Sequence, residues 1–165
     1  MTTTIAVGET APAFELAGID GKRYLLTDAL ANGSLLAVFF KVTCPTCQFT
    51  LPFIERLYQE FQGKGIQIWG ISQDTRCDSQ RFAEQFGLTF PLLLDEEPYE
   101  TSQEYGLVYV PTLFLINREG QVEISGDGFS KSDLLEIQHS FAKYFDANPG
   151  EFFRAGEKLP EYKPG

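Results

Sequence analysis

The sequence predicts an α/β fold: a central mixed β-sheet flanked by helices, with an N-terminal β-hairpin. Three observations carry that expectation. Leu35-Leu36-Ala37-Val38-Phe39-Phe40 is an unbroken apolar run, as a strand buried on both faces requires. Strand-like and helix-like periodicities then alternate along the chain. Two short turn sequences, Ile19-Asp20-Gly21-Lys22 and Asn117-Arg118-Glu119-Gly120, each separate a pair of strand-like segments.

In chain order, Phe14 to Leu16 and Tyr24 to Leu26 form the first hairpin, and Leu35 to Phe40 is the central strand. From Cys44 to Phe61, Leu51, Ile54, Leu57, Tyr58 and Phe61 recur at spacings of three and four, predicting a helix kinked near Pro52. Ile66 to Ser72 reads as a second buried strand, Ser79 to Phe86 as a helix closed by Gly87, and Phe90 to Leu94 as a short strand. Thr112 to Ile116 and Gln121 to Ile124 make the second hairpin, and Leu134 to Tyr144 carries helical periodicity. The expected order is ββ, βαβα, ββα. Phe39, Phe40, Phe61, Phe82, Phe86 and Phe114 sit at core-facing spacings, and Asp95-Glu96-Glu97 and Lys22-Arg23 read as solvated loops.

At 165 residues and 43% hydrophobic content the chain is long enough for one core and short for two. One domain is expected over residues 1–145, followed by an extension over 146–165. Pro149, Pro160, Pro164 and several charges give that extension the composition of a loosely ordered tail, whereas Phe152 and Phe153 argue for docking. A formal net charge of -10 with a single histidine, His139, speaks against nucleic acid or an anionic membrane as partner. Met1 to Gly8 carries neither a basic stretch nor a long apolar run, and no later segment approaches a membrane span, so the expected compartment is the cytosol.

Three cysteines cannot all be paired within one structural disulfide framework, and in a reducing compartment a close pair is reactive or metal-binding more often than structural. Cys44-Pro45-Thr46-Cys47 falls just past the carboxyl end of the central strand, at the start of a helix, where sites of open α/β sheets lie. Cysteines at i and i+3 share one helix face with Cα atoms about 5 Å apart, inside the range a disulfide spans. Amide groups without helical partners and the macrodipole place positive charge beside the first sulfur and favour its thiolate. Cys44 would then attack a substrate disulfide, and Cys47, one turn in, would displace the mixed disulfide. Pro45 suits the first turn, where its missing N–H would have no partner. Lys41 either adds positive charge near the sulfur or is a solvated strand-end lysine. Half of a zinc site is the competing interpretation, but a second ligand pair is missing unless Cys77 and His139 converge. No metal and no cofactor is expected.

These residues resemble the thioredoxin superfamily, in particular its redoxin branch of TlpA-like and bacterioferritin-comigratory-like proteins related to AhpC/TSA and peroxiredoxins. The resemblance rests on strand-Cys44-Pro45-Thr46-Cys47-helix, Leu51-Pro52 and Glu55, the opening Gly8-Glu9-Thr10-Ala11-Pro12-Ala13-Phe14, Gly70-Ile71-Ser72-Gln73-Asp74 and Val110-Pro111-Thr112, and spans Val7 to Phe145. It implies a thioredoxin-like fold and thiol-disulfide oxidoreductase activity, with Cys44 as nucleophile and Cys47 as resolving thiol. It further implies a cis Val110–Pro111 peptide facing the pair, and Pro45, Thr46, Val110 and Pro111 in contact with substrate. Implied partners are protein disulfides or dithiols and an unidentified electron donor or acceptor, with the chain a monomer or weak homodimer. Three positions depart from the pattern. Thr43 and Val38 stand where thioredoxin has a Trp and a buried Asp, and Thr50 stands where TlpA-like proteins often carry an acid, which leaves the proton acceptor for Cys47 unassigned.

A peroxiredoxin-like peroxidase is the rival expectation, since Phe82 to Asp95 also resembles that family. Its Pro-x-x-x-Thr-x-x-Cys pattern, laid on Cys47, puts Phe40 and Cys44 at the Pro and Thr, and its activating Arg falls on Pro111, leaving a peroxide without electrostatic support. A redox-sensitive binding module without turnover is the third. Cys77, past the second buried strand on the same sheet edge, is either a third redox thiol or a free cysteine.

Overall fold

The structure is a computed structural model that describes residues 3–144 and 148–165. The expected domain boundary between residues 145 and 146 lies outside the described residues. The first hairpin forms as its turn chemistry requires: β1 (Glu15–Gly18) and β2 (Arg23–Leu25) pair antiparallel, and Gly21 takes a positive φ of 82° in the turn. After α1 (Leu26–Asn32) comes β3 (Leu35–Phe40), every residue of which is buried. Then follow α2 (Pro45–Phe61), β4 (Gln67–Ser72), α3 (Arg76–Phe86), β5 (Leu92–Leu94) and α4 (Glu100–Glu104). β6 (Thr112–Ile116), β7 (Val122–Asp127), β8 (Phe129–Ser130), α5 (Lys131–Tyr144) and β9 (Tyr162–Lys163) complete the chain.

Seven strands form one mixed sheet in the order β2-β1-β5-β4-β3-β6-β7, with β3, β4 and β5 parallel and the other pairings antiparallel. The period of two along β3 sorts its side chains between two cores. Leu36, Val38 and Phe40 face α2, α3 and α5, while Leu35, Ala37 and Phe39 face α1 and the Tyr105 ring. Helices therefore cover both faces, and this is a thioredoxin-like α/β fold. In α2 the side chains of Leu51, Ile54 and Leu57 are wholly buried, each contributing roughly 1.5–3 kcal/mol relative to exposure. That burial holds the helix as one 17-residue element through Pro52, which lacks the N–H for one internal bond. Of Phe39, Phe40, Phe61, Phe82, Phe86 and Phe114, five are fully within the cores, and Phe86 packs partly buried at the rim.

The structure corrects some expectations. α3 starts at Arg76 rather than Ser79, because the Thr75 side chain caps it by accepting from the Asp78 N–H at 3.1 Å. α5 starts at Lys131, and α1 and α4 are helices the periodicity did not reveal. Asp95 is buried rather than solvated, since its carboxylate accepts from the N–H groups of Thr101 and Ser102 and from the Ser102 hydroxyl, tying down α4. Residues 148–165 dock. Phe152 is 5% exposed within the α2/α5 core, Phe153 stacks near Phe53 and Phe129, and β9 pairs with β8. Arg56 clamps Glu157 with two bonds of 2.8 and 2.6 Å.

Candidate active site

The buried β3 delivers the chain to the edge of the sheet at Lys41, and four hydrogen bonds hold the loop that follows. The Val42 N–H donates to Asp74 Oδ2 at 2.8 Å, the Gln48 amide donates to the Val42 carbonyl at 2.9 Å, the Cys44 N–H reaches the Lys41 carbonyl at 3.3 Å, and the Gln73 N–H reaches the Phe40 carbonyl at 3.3 Å. Asp74 is itself fixed, its N–H donating to Ser72 Oγ at 3.0 Å. The loop is thus stitched to the carboxyl end of β4, and Cys44 arrives at a fixed position as the N-cap of α2.

The cap is made by sulfur. Cys44 Sγ accepts the Cys47 N–H at 3.1 Å, so an amide that the helix leaves without a partner is aimed at the first sulfur of the pair. The Cys44 thiol in turn donates to the Val110 carbonyl oxygen at 3.4 Å. Cys47 sits one turn in and is fully buried. Burial pushes its thiol well above the usual range, reinforced by its hydrogen bond with Cys44 and by the charges of Cys44 and Asp74, while a backbone bond from Lys41 pulls the other way. All three cysteines are free thiols. One half-exposed sulfur with an amide donor stands beside one buried sulfur that holds its proton, an arrangement suited to sequential attack and resolution.

The Val110–Pro111 peptide is cis and faces Cys44 through that carbonyl. Glu97–Pro98 is a second cis peptide, for which the sequence offered no signal. Thr46 is buried and its hydroxyl donates to the Pro164 carbonyl at 2.6 Å, while Pro45 is exposed at the first helical position. Cys44, Cys47, Thr46, Val110 and Pro111 therefore meet at one place. Lys41 is exposed on the loop, and Cys77 is exposed in the first turn of α3, with no hydrogen bond to the pair among the described residues. Among those residues Cys77 and His139 do not converge with the pair, and no cluster of three or more His, Cys, Asp or Glu side chains is placed to hold a metal ion. No helix among them is long and apolar enough to cross a membrane. A cleft of about 490 Å³ is lined by Glu15, Arg23, Glu96, Glu97 and Glu100 and shares no residue with the thiol pair.

Sequence reasoning missed Gln48 as a loop anchor and Pro164 and Gly165 as neighbours of the pair. Asp74, legible as part of the Gly70-Ile71-Ser72-Gln73-Asp74 motif and as a charge near Cys77, gave no sign of anchoring the Val42 N–H. A bulky residue would not fit at 165, because a Cβ there would lie 2.0 Å from the Val110 carbonyl oxygen.

The chain matches a family model, a relative and two solved structures. The model of the AhpC/TSA family matches residues 7–125. The thiol-disulfide oxidoreductase ResA of Geobacillus thermodenitrificans (strain NG80-2) is 35% identical over 137 residues, covering 81% of this chain and 77% of that protein. Among solved structures, a Chlorobium tepidum protein assigned as the thiol:disulfide interchange protein DsbE superposes with a TM-score of 0.75 at 26% identity, covering 85% of this chain and 98% of the other. A thiol:disulfide interchange protein from Bacteroides sp. shares the fold, with a TM-score of 0.73 at 22% identity over 88% of this chain and 93% of its own.

Proposed function

From a chain that belongs to the AhpC/TSA family and is a thiol-disulfide oxidoreductase, we propose that the Cys44-Pro45-Thr46-Cys47 pair exchanges disulfides with protein substrates. The observation that carries this reading is the asymmetry of the two sulfurs: Cys44 half-exposed with the Cys47 N–H at 3.1 Å, and Cys47 wholly buried. In the reducing direction the Cys44 thiolate attacks one sulfur of a substrate disulfide. A Cys44–substrate disulfide forms, and the other substrate sulfur leaves as a thiolate. Cys47 then gives up its proton and attacks Cys44 Sγ, closing the Cys44–Cys47 disulfide and releasing the second substrate sulfur. Two electrons pass to the substrate, whose two thiolates take up two protons. A dithiol donor resets the pair by the reverse exchange.

Because burial makes Cys47 reluctant to lose its proton, resolution needs a base, and the substrate thiolate released in the first step supplies one beside the site. The carbonyl of Val110 and the hydroxyl of Thr46 flank Cys44 and offer main-chain-type contacts to an extended substrate segment. A peroxidase would need Cys47 as the attacking sulfur, and its complete burial and raised pKa oppose that role.

Insulin reduction with dithiothreitol tests the proposal. Cys44→Ser is expected to abolish protein-dependent turnover and Cys47→Ser to accumulate a mixed disulfide through Cys44. Turnover that survives Cys44→Ser, or rapid peroxide consumption that depends on Cys47 and not on Cys44, would overturn the assignment.

A further inference from the structure

Residues 148–165 are attached to the domain in two different ways. From Phe152 to Leu159 the attachment is apolar and ionic: Phe152 is buried in the core, Phe153 packs on Phe53 with ring centroids 5.7 Å apart, Leu159 lies against the same cluster, and Glu157 is clamped by Arg56. From Glu161 to Gly165 main-chain carbonyls and a short strand pairing share the attachment with polar side chains. The Glu161 carbonyl accepts the Lys131 N–H at 2.9 Å, β9 pairs with β8 for two residues, and the Pro164 carbonyl accepts the Thr46 hydroxyl. Side chains add the Tyr162 hydroxyl donating to Asp127 Oδ1 at 2.7 Å and Lys163 Nζ 5.0 Å over the Phe49 ring. Tyr162 is 51% exposed, and Pro164 and Gly165 are exposed.

The second stretch runs onto the reactive sulfur. Thr46, which binds Pro164, is two residues beyond Cys44, and the Val110 carbonyl that accepts from the Cys44 thiol is the group against which Gly165 packs. At Gly165 a Cβ would meet the Val110 carbonyl oxygen at 2.0 Å, its carbon at 2.7 Å and Pro111 N at 3.3 Å, so the backbone of residue 165 lies directly on the Val110–Pro111 peptide. An extended backbone held by a hydroxyl–carbonyl bond on one side and lying on a peptide group on the other is what a substrate segment would present there.

We propose that residues 161–165 act as an intramolecular pseudosubstrate, occupying the track along which an extended segment of a protein partner reaches Cys44. The inference rests on the proposed exchange with protein substrates and adds how that site is regulated and what it selects. The anchor at 152–159, with Phe152 in the core, stays in place while the five residues beyond Pro160 lift, which sets their effective concentration at the track and makes the partner compete with them. A partner that wins presents an extended stretch with a free main-chain carbonyl for Thr46 and a small residue, glycine best, over the Val110–Pro111 peptide.

The test uses the full chain with Gly165→Val and, separately, Tyr162→Ala, each checked for an unchanged melting temperature. Gly165→Val cannot seat against Val110, and Tyr162→Ala loses the Asp127 bond. Both are expected to raise the rate of Cys44 alkylation by iodoacetamide several-fold and to lower KM for insulin with kcat little changed. The free peptide Glu-Tyr-Lys-Pro-Gly is expected to reverse both effects competitively, and a peptide with Val in place of the final Gly to do so poorly. Insulin turnover with alkylation rate and KM unchanged in both variants would overturn the pseudosubstrate. Alkylation that rises in the variants while no form reduces insulin would support the covering of Cys44 and overturn instead the assignment of protein disulfides as substrate.

Discussion

The Cys44 thiol donates to the Val110 carbonyl oxygen across 3.4 Å, joining the first turn of a helix to a loop 66 residues away in sequence. The contact brings Cys44 and the peptide that faces it into one frame, although β3 and β6 run in opposite directions. Four predictions follow from the site and its surroundings.

Asp74 has two effects on the pair. Its carboxylate pins the Val42 N–H, and its negative charge opposes ionisation of Cys47. In Asp74→Asn the charge goes while the amide oxygen can still accept. The Cys47 thiol should then ionise at lower pH, so the pH profile of mixed-disulfide resolution, measured in single turnover by quenched flow, moves to lower pH. A profile that stays put or moves up would show that Asp74 acts only as a loop anchor.

Phe152 ties the terminal segment into the main core. Phe152→Ala should cost about 3 kcal/mol in urea unfolding, as for a large aromatic removed from a close-packed site. A loss no larger than a surface substitution would mean that residues 148–165 are not part of the cooperative unit.

The Arg56 guanidinium on Glu157 holds that carboxyl down at about 2, followed in effect by the Arg154 N–H, against an ordinary value of 4.5. A carboxyl whose pKa is lowered on folding contributes fully above its unfolded value, and the contribution drains away as pH falls through the folded one. The segment should therefore stay protected from proteolysis down to pH 4.5 and lose protection progressively toward pH 2. Arg56→Gln should be cut faster already at neutral pH and lose little further protection between pH 4.5 and pH 2, and an acid profile the same as wild type would refute the clamp.

Cys77 is exposed and makes no hydrogen bond to the pair among the described residues. Cys77→Ser should leave insulin turnover within about twofold of wild type, as surface substitutions usually do. A loss of more than tenfold would give this thiol a part in the cycle.

Much of the fold could be read from local patterns. β3 and β6 have the bounds their apolar runs suggest, because a strand buried on both faces leaves an unmistakable run of large apolar residues. The placement of Cys44 and Cys47 at a helix start was legible too, since a spacing of three next to Pro45 is a purely local signal. α1 and α4 were not, because at seven and five residues they hold too few turns for periodicity to emerge, and α4 depends on the distant Asp95 carboxylate. β8 and β9 are two-residue strands whose pairing joins Phe129 to Lys163, a register no window of sequence can contain. The approach of Pro164 to Thr46 rests on that pairing and was hidden with it.

A sulfur that starts the helix and, in the proposed exchange, changes its bonding partner ties two equilibria together. When Cys44 is bonded to a partner or to Cys47, its sulfur is a poorer acceptor, and the amide it satisfied must find water or another group. Whatever firms the first turn of α2 therefore favours the dithiol, and oxidation loosens that turn by the same amount of free energy. Reciprocity of this kind makes the melting temperature a gauge of redox preference: the difference between the reduced and oxidised proteins reports, without a substrate, which way the pair leans.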